Sequence, residues 1–248
     1  ASKGIGRQIA KTLAKENIQV IANYNKSEEE ILKLKNELEE ENIQVDIKKA
    51  DVSKRKEAKE LVEYVLSRYG KIDILINNAG VGSFGYLSEI EMEKELKLID
   101  INIRALTELT KIFLPAMIEH GEGAIMNVAS TAAFCAGPKM ATYYASKSYV
   151  LNFTEALYEE VKRNNIKISC LCPGPVKTSF QEKSGIKKKE AAKKALMAPN
   201  EVARIAYRDF KKGKPIIIPG FKNKIIILFN KFIPRSLARK IIFMMNKG

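Results

Sequence analysis

Histidine and cysteine are scarce in this chain, and long apolar runs are missing. Its 248 residues include one histidine, His120, and three cysteines, Cys135, Cys170 and Cys172. An odd count with no framework spacing argues against a disulfide-stapled secreted domain and suits a reducing cytoplasm. Cys170 and Cys172 lie two apart in a strand-like run and so face the same side. With no histidine or second cysteine pair nearby, zinc is not expected, and both read as small buried apolar residues. His120, just before Gly121, reads as a surface or helix-end residue. No apolar run reaches the roughly 20 residues that span a bilayer. No signal-peptide pattern is visible, nor any internal repeat or low-complexity segment.

What is present suits one large α/β domain or two small ones. A hydrophobic content of 46% is enough for a substantial core. The net charge is +14, and it is unevenly placed. From residue 183 onward there are 18 basic and 3 acidic residues; the first 182 carry 25 basic and 26 acidic. A neutral body with a cationic end argues against a nucleic-acid protein basic over its whole surface. It points instead to a local anionic partner of the tail.

Strand-like and helix-like stretches alternate. Strands are expected at 18–24, 45–52, 72–76, 124–129, 166–172 and 215–219. Helices are expected at 7–16, 28–41, 54–69, 91–120, 141–164 and 200–213. Ser27, Ser53 and Asn200 are the expected caps, and a bend is expected near Pro115. The alternation implies parallel βαβ units and a doubly wound sheet. Residues 176–199 are polar and Lys-rich. They read as a mobile substrate loop with one or two short helices, at the carboxyl ends of the strands where such sheets bind ligands.

The chemistry-bearing stretch runs from Ser130 to Lys147. Tyr143 and Lys147 are four apart and so share a helix face. An ammonium beside a phenol favours the phenolate and lowers its pKa from about 10. Tyr143 would then be a proton donor to a carbonyl near neutral pH. Ser130, at the end of a strand-like run, is placed to reach the same oxygen. Tyr and Lys at this spacing also occur by chance, so the pair gains its weight from the motifs around it. Near the start, the run ASKGIG puts two glycines before a helix, which permits close backbone approach to a phosphate.

Taken in order, ASKGIG, Asp51-Val52, NNAG from Asn77, Asn102, Ser130, YYASK from Tyr143 and PGPVKT from Pro173 resemble the short-chain dehydrogenase/reductase family. The match covers residues 1 to about 220. It implies a Rossmann-type α/β fold with sheet order 3-2-1-4-5-6-7 and hydride transfer between NADP(H) and a carbonyl/alcohol pair. By that resemblance Tyr143 would exchange the substrate proton, Lys147 would bind the nicotinamide ribose, and Ser130 would hold the carbonyl oxygen. Asn102 would hold a water that relays protons to Lys147. Ser2 to Gly6 would lie along the cofactor, with Gly4, Ile5 and Gly6 at the pyrophosphate. Asp51 and Val52 would meet adenine, and Asn78, Ala79 and Gly80 the ribose side. Pro173, Gly174, Val176 and Thr178 would cover the nicotinamide. A homodimer or homotetramer built on the helices at 91–120 and 141–164 is the implied assembly.

One departure stands out. The family's glycine motif follows a first strand and begins Thr-Gly, and both features are absent here. That strand is central in the family's order. The expectation is therefore of a truncated sequence whose neighbouring strands show bare edges, and which folds poorly as written.

NADP(H) is favoured over NAD(H) on charge. NAD enzymes place an acid after strand two to hold the ribose 2′-hydroxyl. Here Asn23-Tyr24-Asn25-Lys26 carries none, and Lys3 and Lys26 could both pair with a 2′-phosphate. A second unit, residues 221–248, alternates apolar groups with cations, and Pro234 divides it into two helices. This resembles a bacterial subgroup of the family in which GKPIIIPG precedes a basic, apolar tail. The tail either lies on an anionic membrane surface or packs over the substrate cleft or a partner subunit. Its neighbourhood, if apolar, suits a 3-oxoacyl or steroid-like ketone, and lysines 187–189 could meet a carrier phosphate. A cofactor-binding regulatory protein without turnover and an isomerase or epimerase are the competing functions.

Overall fold

The computed structural model describes residues 1–185 and 196–246. Its six strands are β1 (Val20–Tyr24), β2 (Val45–Lys49), β3 (Ile74–Asn77), β4 (Gly123–Val128), β5 (Ile166–Leu171) and β6 (Ile216–Ile217). Every named pairing between them is parallel. The helices are α1 (Gly4–Lys15), α2 (Glu28–Glu39), α3 (Arg55–Tyr69), α4 (Met92–Ile99), α5 (Leu106–His120), α6 (Ala141–Val161), α7 (Phe180–Lys183), α8 (Pro199–Lys211), α9 (Phe221–Asn230) and α10 (Arg235–Met245). The lysines at 187–189 lie outside the described residues.

Periodicity accounts for most of these elements. Ile31, Leu34 and Leu38 form one stripe of α2 and are fully buried. All six residues of β4 are buried, because helices cover both faces of a parallel sheet. Pro234 separates α9 from α10, as expected.

Several local expectations are corrected. The helix expected over 91–120 is interrupted at Asp100–Ala105, which forms a π-helical turn, while Pro115 lies inside α5. Lys54, not Ser53, stands at the N-cap of α3. The Ser53 amide and hydroxyl instead donate to Asp51 Oδ1, at 3.1 and 2.6 Å, closing a local turn. Ser27 is at the N-cap of α2 but makes no capping hydrogen bond. Helix α8 begins at Pro199, whose fixed φ and missing N–H suit the first turn, so Asn200 is already inside it.

The strands form two sheets, β1-β2 and β3-β4-β5-β6. This is the order 3-2-1-4-5-6-7 without its first strand. β1 and β3 face each other across a cavity of about 660 Å3, whose walls include Ile9, Leu13, Ala22, Val65, Ile76 and Phe113. Helices α1 and α8 lie side by side, and their buried residues join those of β1, β2 and β4 in one apolar cluster. The two sheets are thus joined by side-chain packing where no hydrogen-bond ladder connects them.

Strand amides without a partner exchange with solvent through small local openings. Amides of β1 and β3 not bonded to β2 or β4 should exchange at least about a hundredfold faster than those of β4 and β5. Equal protection in native-state hydrogen exchange would mean that these edges are covered in solution.

Candidate active site

The carboxyl ends of β3, β4 and β5 supply one corner of a cleft, and α6 supplies the other. β4 ends at Val128, and Ser130 follows as the cap of a single 3-10 turn, Thr131–Phe134, accepting the Ala132 amide at 3.1 Å. Its hydroxyl hydrogen-bonds the Tyr143 phenol. Tyr143 and Lys147 lie on one buried face of α6, with exposures of 8% and 4%. Lys147 Nζ donates to the Val128 carbonyl at 2.8 Å.

Asn102 is held from three sides. Its Nδ2 donates to the Val81 carbonyl and to Ser146 Oγ, both at 3.0 Å, and its Oδ1 accepts the Val81 amide at 2.9 Å. Ser146 Oγ donates onward to the Tyr143 carbonyl at 2.7 Å. The π-helical turn sets the Asn102 side chain at this point, as such turns often do at functional sites. Beneath it, a buried chain runs from Thr110 to Asn77, Asn127 and Thr154, each step close to 3.0 Å. These bonds tie β3, β4, α5 and α6 together under the site.

Burial, not mutual attraction, dominates the two titrating groups. The Tyr143 phenol is pushed up to about 12 by loss of solvent, against a smaller opposing effect of the Ser130 hydrogen bond. The Lys147 amine is pushed down to about 8, again by burial. This corrects the expectation that Lys147 lowers the phenol. Its Nζ is 6.0 Å from the Tyr143 ring centroid and donates to a carbonyl instead.

Several of the residues expected at a cofactor lie close to one another. Gly4 opens α1 at φ +57°, and a Cβ there would lie 3.1 Å from the Thr178 methyl. A Cβ on Gly6 would lie 2.4 Å from the Asn78 amide, so only glycine lets α1 approach that loop. A Cβ on Gly80 would lie 3.3 Å from Lys147 Nζ and 3.5 Å from Asn102 Oδ1. An ammonium has three donors, and a single acceptor is found for Lys147 among the described residues. Helix start, close glycines and buried amine together fit a phosphate-and-ribose ligand.

Ser2 and Ile5 flank these glycines on the same segment, and Val52 and Ala79 border the cavity between the sheets. Burial raises the Asp51 carboxyl, but hydrogen bonds from Ser53 and Asn25 outweigh it and leave the group below its usual range. Asn23, also expected at the cofactor, borders the same cavity, and its amide donates to the carbonyls of Lys48 and Ala50, both at 3.1 Å. Lys3 pairs with Glu30 at 2.5 Å, and Lys26 is exposed and has no ion pair among the described residues. The fold, which brings α2 against α1, sets the Glu30 carboxylate beside Lys3; its sequence distance from Lys3 hid it.

The segment after β5 closes over the cleft. Pro173 accepts the Thr131 amide, Gly174 lies against the Asn223 side chain, and buried Val176 bridges to Met197. Phe180 packs on Tyr143 with ring centroids 5.4 Å apart. Leu98, Ala132 and Met140, with Val81, Phe84 and Phe180 against them, give Tyr143 an apolar surround. The tail lies along the same wall. Asn230 Nδ2 donates to Phe134 O and Asn246 Nδ2 to Pro138 O, each at 2.8 Å, and Asn246 also hydrogen-bonds Tyr144. Phe180 and the tail asparagines carried no local sequence signal, and Ser146 stands within YYASK with no role assigned to it there.

The sequence family described as short chain dehydrogenase matches residues 1–189. The chain belongs to that family. It is 32% identical over 210 residues to a 3-oxoacyl-(acyl-carrier-protein) reductase of Thermotoga maritima, covering 83% of this chain and 85% of that protein. A short-chain dehydrogenase from Sphingobium yanoikuyae in complex with NADPH superposes with a TM-score of 0.81 at 27% identity, over 89% of this chain and 85% of that one. An actinorhodin polyketide ketoreductase with NADPH gives 0.78 at 31% identity, over 88% and 92%. The short-chain dehydrogenase described here is thus an oxidoreductase that works with a nicotinamide cofactor.

The depressed Lys147 pKa has a thermodynamic consequence. An unfolded lysine binds its proton up to about pH 10.4, whereas the folded one releases it near 8. Between those values the unfolded chain binds more protons, so Lys147 makes stability rise with pH, by about 3 kcal/mol in total. Urea melts of the protein and of Lys147→Met should show the wild type gaining on the variant between about pH 8 and 10. A constant difference would mean that Lys147 titrates normally.

Proposed function

We propose that the protein is an NADP(H)-dependent carbonyl reductase acting on a lipophilic ketone, of 3-oxoacyl or steroid-like type. The observation that carries this reading is the convergence of Ser130, Tyr143, Lys147 and Asn102 on one buried, apolar-walled cleft. When bound, the reduced nicotinamide supplies the hydride that the carbonyl carbon accepts. The chain's part is to receive the electron pair that moves onto oxygen. Ser130 Oγ and the Tyr143 phenol, already hydrogen-bonded to each other, both donate to that oxygen, and Tyr143 gives up its proton. A phenol held at about 12 is fully protonated at neutral pH, as reduction requires. Lys147, charged below about pH 8, stabilises the phenolate once its Nζ turns from the Val128 carbonyl toward the phenol. The Asn102–Ser146 link holds the α6 backbone at Tyr143 in place. Phe180 excludes water from the reacting oxygen.

NADPH oxidation, followed by absorbance across 3-oxoacyl thioesters, steroid ketones and aldehydes, tests the reading. Tyr143→Phe should lower kcat on the order of 10²–10⁴-fold, because the acid is lost while the apolar packing stays. NADPH binding without turnover, unchanged in Tyr143→Phe, would favour a cofactor-sensing protein. Interconversion of substrate isomers without net NADPH consumption would favour an isomerase or epimerase.

The preference for NADP(H) rests on Lys3 and Lys26, and Glu30 opposes it by occupying Lys3. Glu30→Gln should lower the KM for NADPH about threefold or more with little change for NADH. Lys3→Ala with Lys26→Ala should raise it about tenfold, again selectively. Equal effects on the two cofactors would refute the assignment.

A further inference from the structure

The two tail helices use one face each to hold the body. In α9 the less exposed positions are Asn223, Ile227 and Asn230; in α10 they centre on Ala238, Ile242 and Asn246. At 100° per residue each set forms one stripe, and its asparagines make the hydrogen bonds to Pro219, Phe134 and Pro138. The opposite faces are open. Phe229, two residues past Ile227 and so across the helix from it, is 64% exposed, and Phe232 is 78% exposed. Of the eighteen exposed large apolar side chains in the described residues, nine lie between Phe221 and Met245. That density exceeds what scattered surface residues explain and marks an interaction surface.

The charge on the same surface identifies its partner. Lys222, Lys224, Lys231, Arg235, Arg239 and Lys240 are all exposed, and none makes an ion pair among the described residues. The chain has no acidic residue after Asp209. A symmetric pairing of two tails would therefore set cations against cations with no carboxylate between them. Lysine, the commoner cation here, is also depleted at protein–protein interfaces. Phenylalanines and aliphatics interleaved with lysine and arginine, on helices lying flat, match an anionic bilayer surface. No helix among the described residues is long and apolar enough to cross a membrane, which fits helices that lie on one.

We infer that the outer face of α9 and α10 docks on an anionic lipid bilayer, with the apolar side chains in the acyl boundary and the cations among lipid phosphates. Because Asn230 and Asn246 fasten these helices to Phe134 and Pro138, docking sets the mouth of the Tyr143 cleft beside the lipid. The inference does not depend on which reaction the cleft performs.

Vesicle flotation of the full chain tests it. Vesicles of phosphatidylcholine with phosphatidylglycerol should bind at least tenfold more tightly than phosphatidylcholine alone, and binding should weaken as salt is raised. Each basic side chain at an anionic surface is worth roughly fivefold in affinity. A combined Lys231→Glu, Arg235→Glu, Arg239→Glu and Lys240→Glu variant should therefore lose binding by well over tenfold. Phe229→Ser with Phe232→Ser should also lose it, and since both side chains are exposed, circular dichroism should be unchanged. Absence of any preference for anionic vesicles, or binding retained by both variants, would overturn the inference. So would variants that leave vesicle binding intact but abolish self-association in sedimentation velocity. The surface would then belong to a second copy, with the cations on exposed carboxylates such as Glu89, Glu91 and Glu93.

Discussion

A lysine ammonium taken out of water is the constraint around which this site is built. Lys147 is buried on α6, and the Val128 carbonyl at 2.8 Å is its one protein acceptor among the described residues. Burial alone would drive such a group toward the neutral form, and the fall of its pKa to about 8 records that pressure. A value near 8 leaves the group cationic at neutral pH, and the carbonyl at the end of β4 gives that cation an acceptor. The position of α6 against β4 is therefore not interchangeable with a general helix-on-sheet contact.

The neighbouring polar groups follow from the same requirement. Asn102 can serve the loop at Val81 and the Ser146 hydroxyl together only if its helix loosens, and the π-helical turn provides that offset. Deeper still, Asn77, Asn127 and Thr154 satisfy one another with no solvent, which lets β3, β4 and α6 keep polar residues in an otherwise apolar interior. Each of these groups would be costly alone and is tolerable as a set. A protein with no need for a positioned amine would be expected to replace them with aliphatic residues.

How much of this was legible in the sequence depended on range. Tyr143 and Lys147 could be paired from spacing alone, because helix geometry is local. Strands and helices could be placed from periodicity, and errors fell at caps such as Ser53 and Asn200, where one turn or one proline decides the boundary. The Lys3–Glu30 pair, the Asn102–Ser146 link and Phe180 on Tyr143 join residues up to 44 positions apart, and only the folded chain brings them together. The phenol's pKa was misjudged for the same reason. Spacing gives proximity, but desolvation is a property of the whole surround, and here Leu98, Met140 and Phe180 outweigh a charge that points elsewhere.

A phenol near 12 and an amine near 8 leave both groups protonated at neutral pH. To run toward the alcohol, Tyr143 has only to release a proton it already holds. The reverse direction requires the phenolate, whose cost rises with every apolar atom packed on the ring. Anything that brings Lys147 Nζ from the Val128 carbonyl toward the phenol, or that lifts Phe180 from the ring, lowers that cost. The closing segment and the tail anchored at Phe134 and Pro138 thus bear on the protonation of Tyr143 as well as on access. Apolar enclosure and a phenol that keeps its proton are, in this site, two consequences of one packing arrangement.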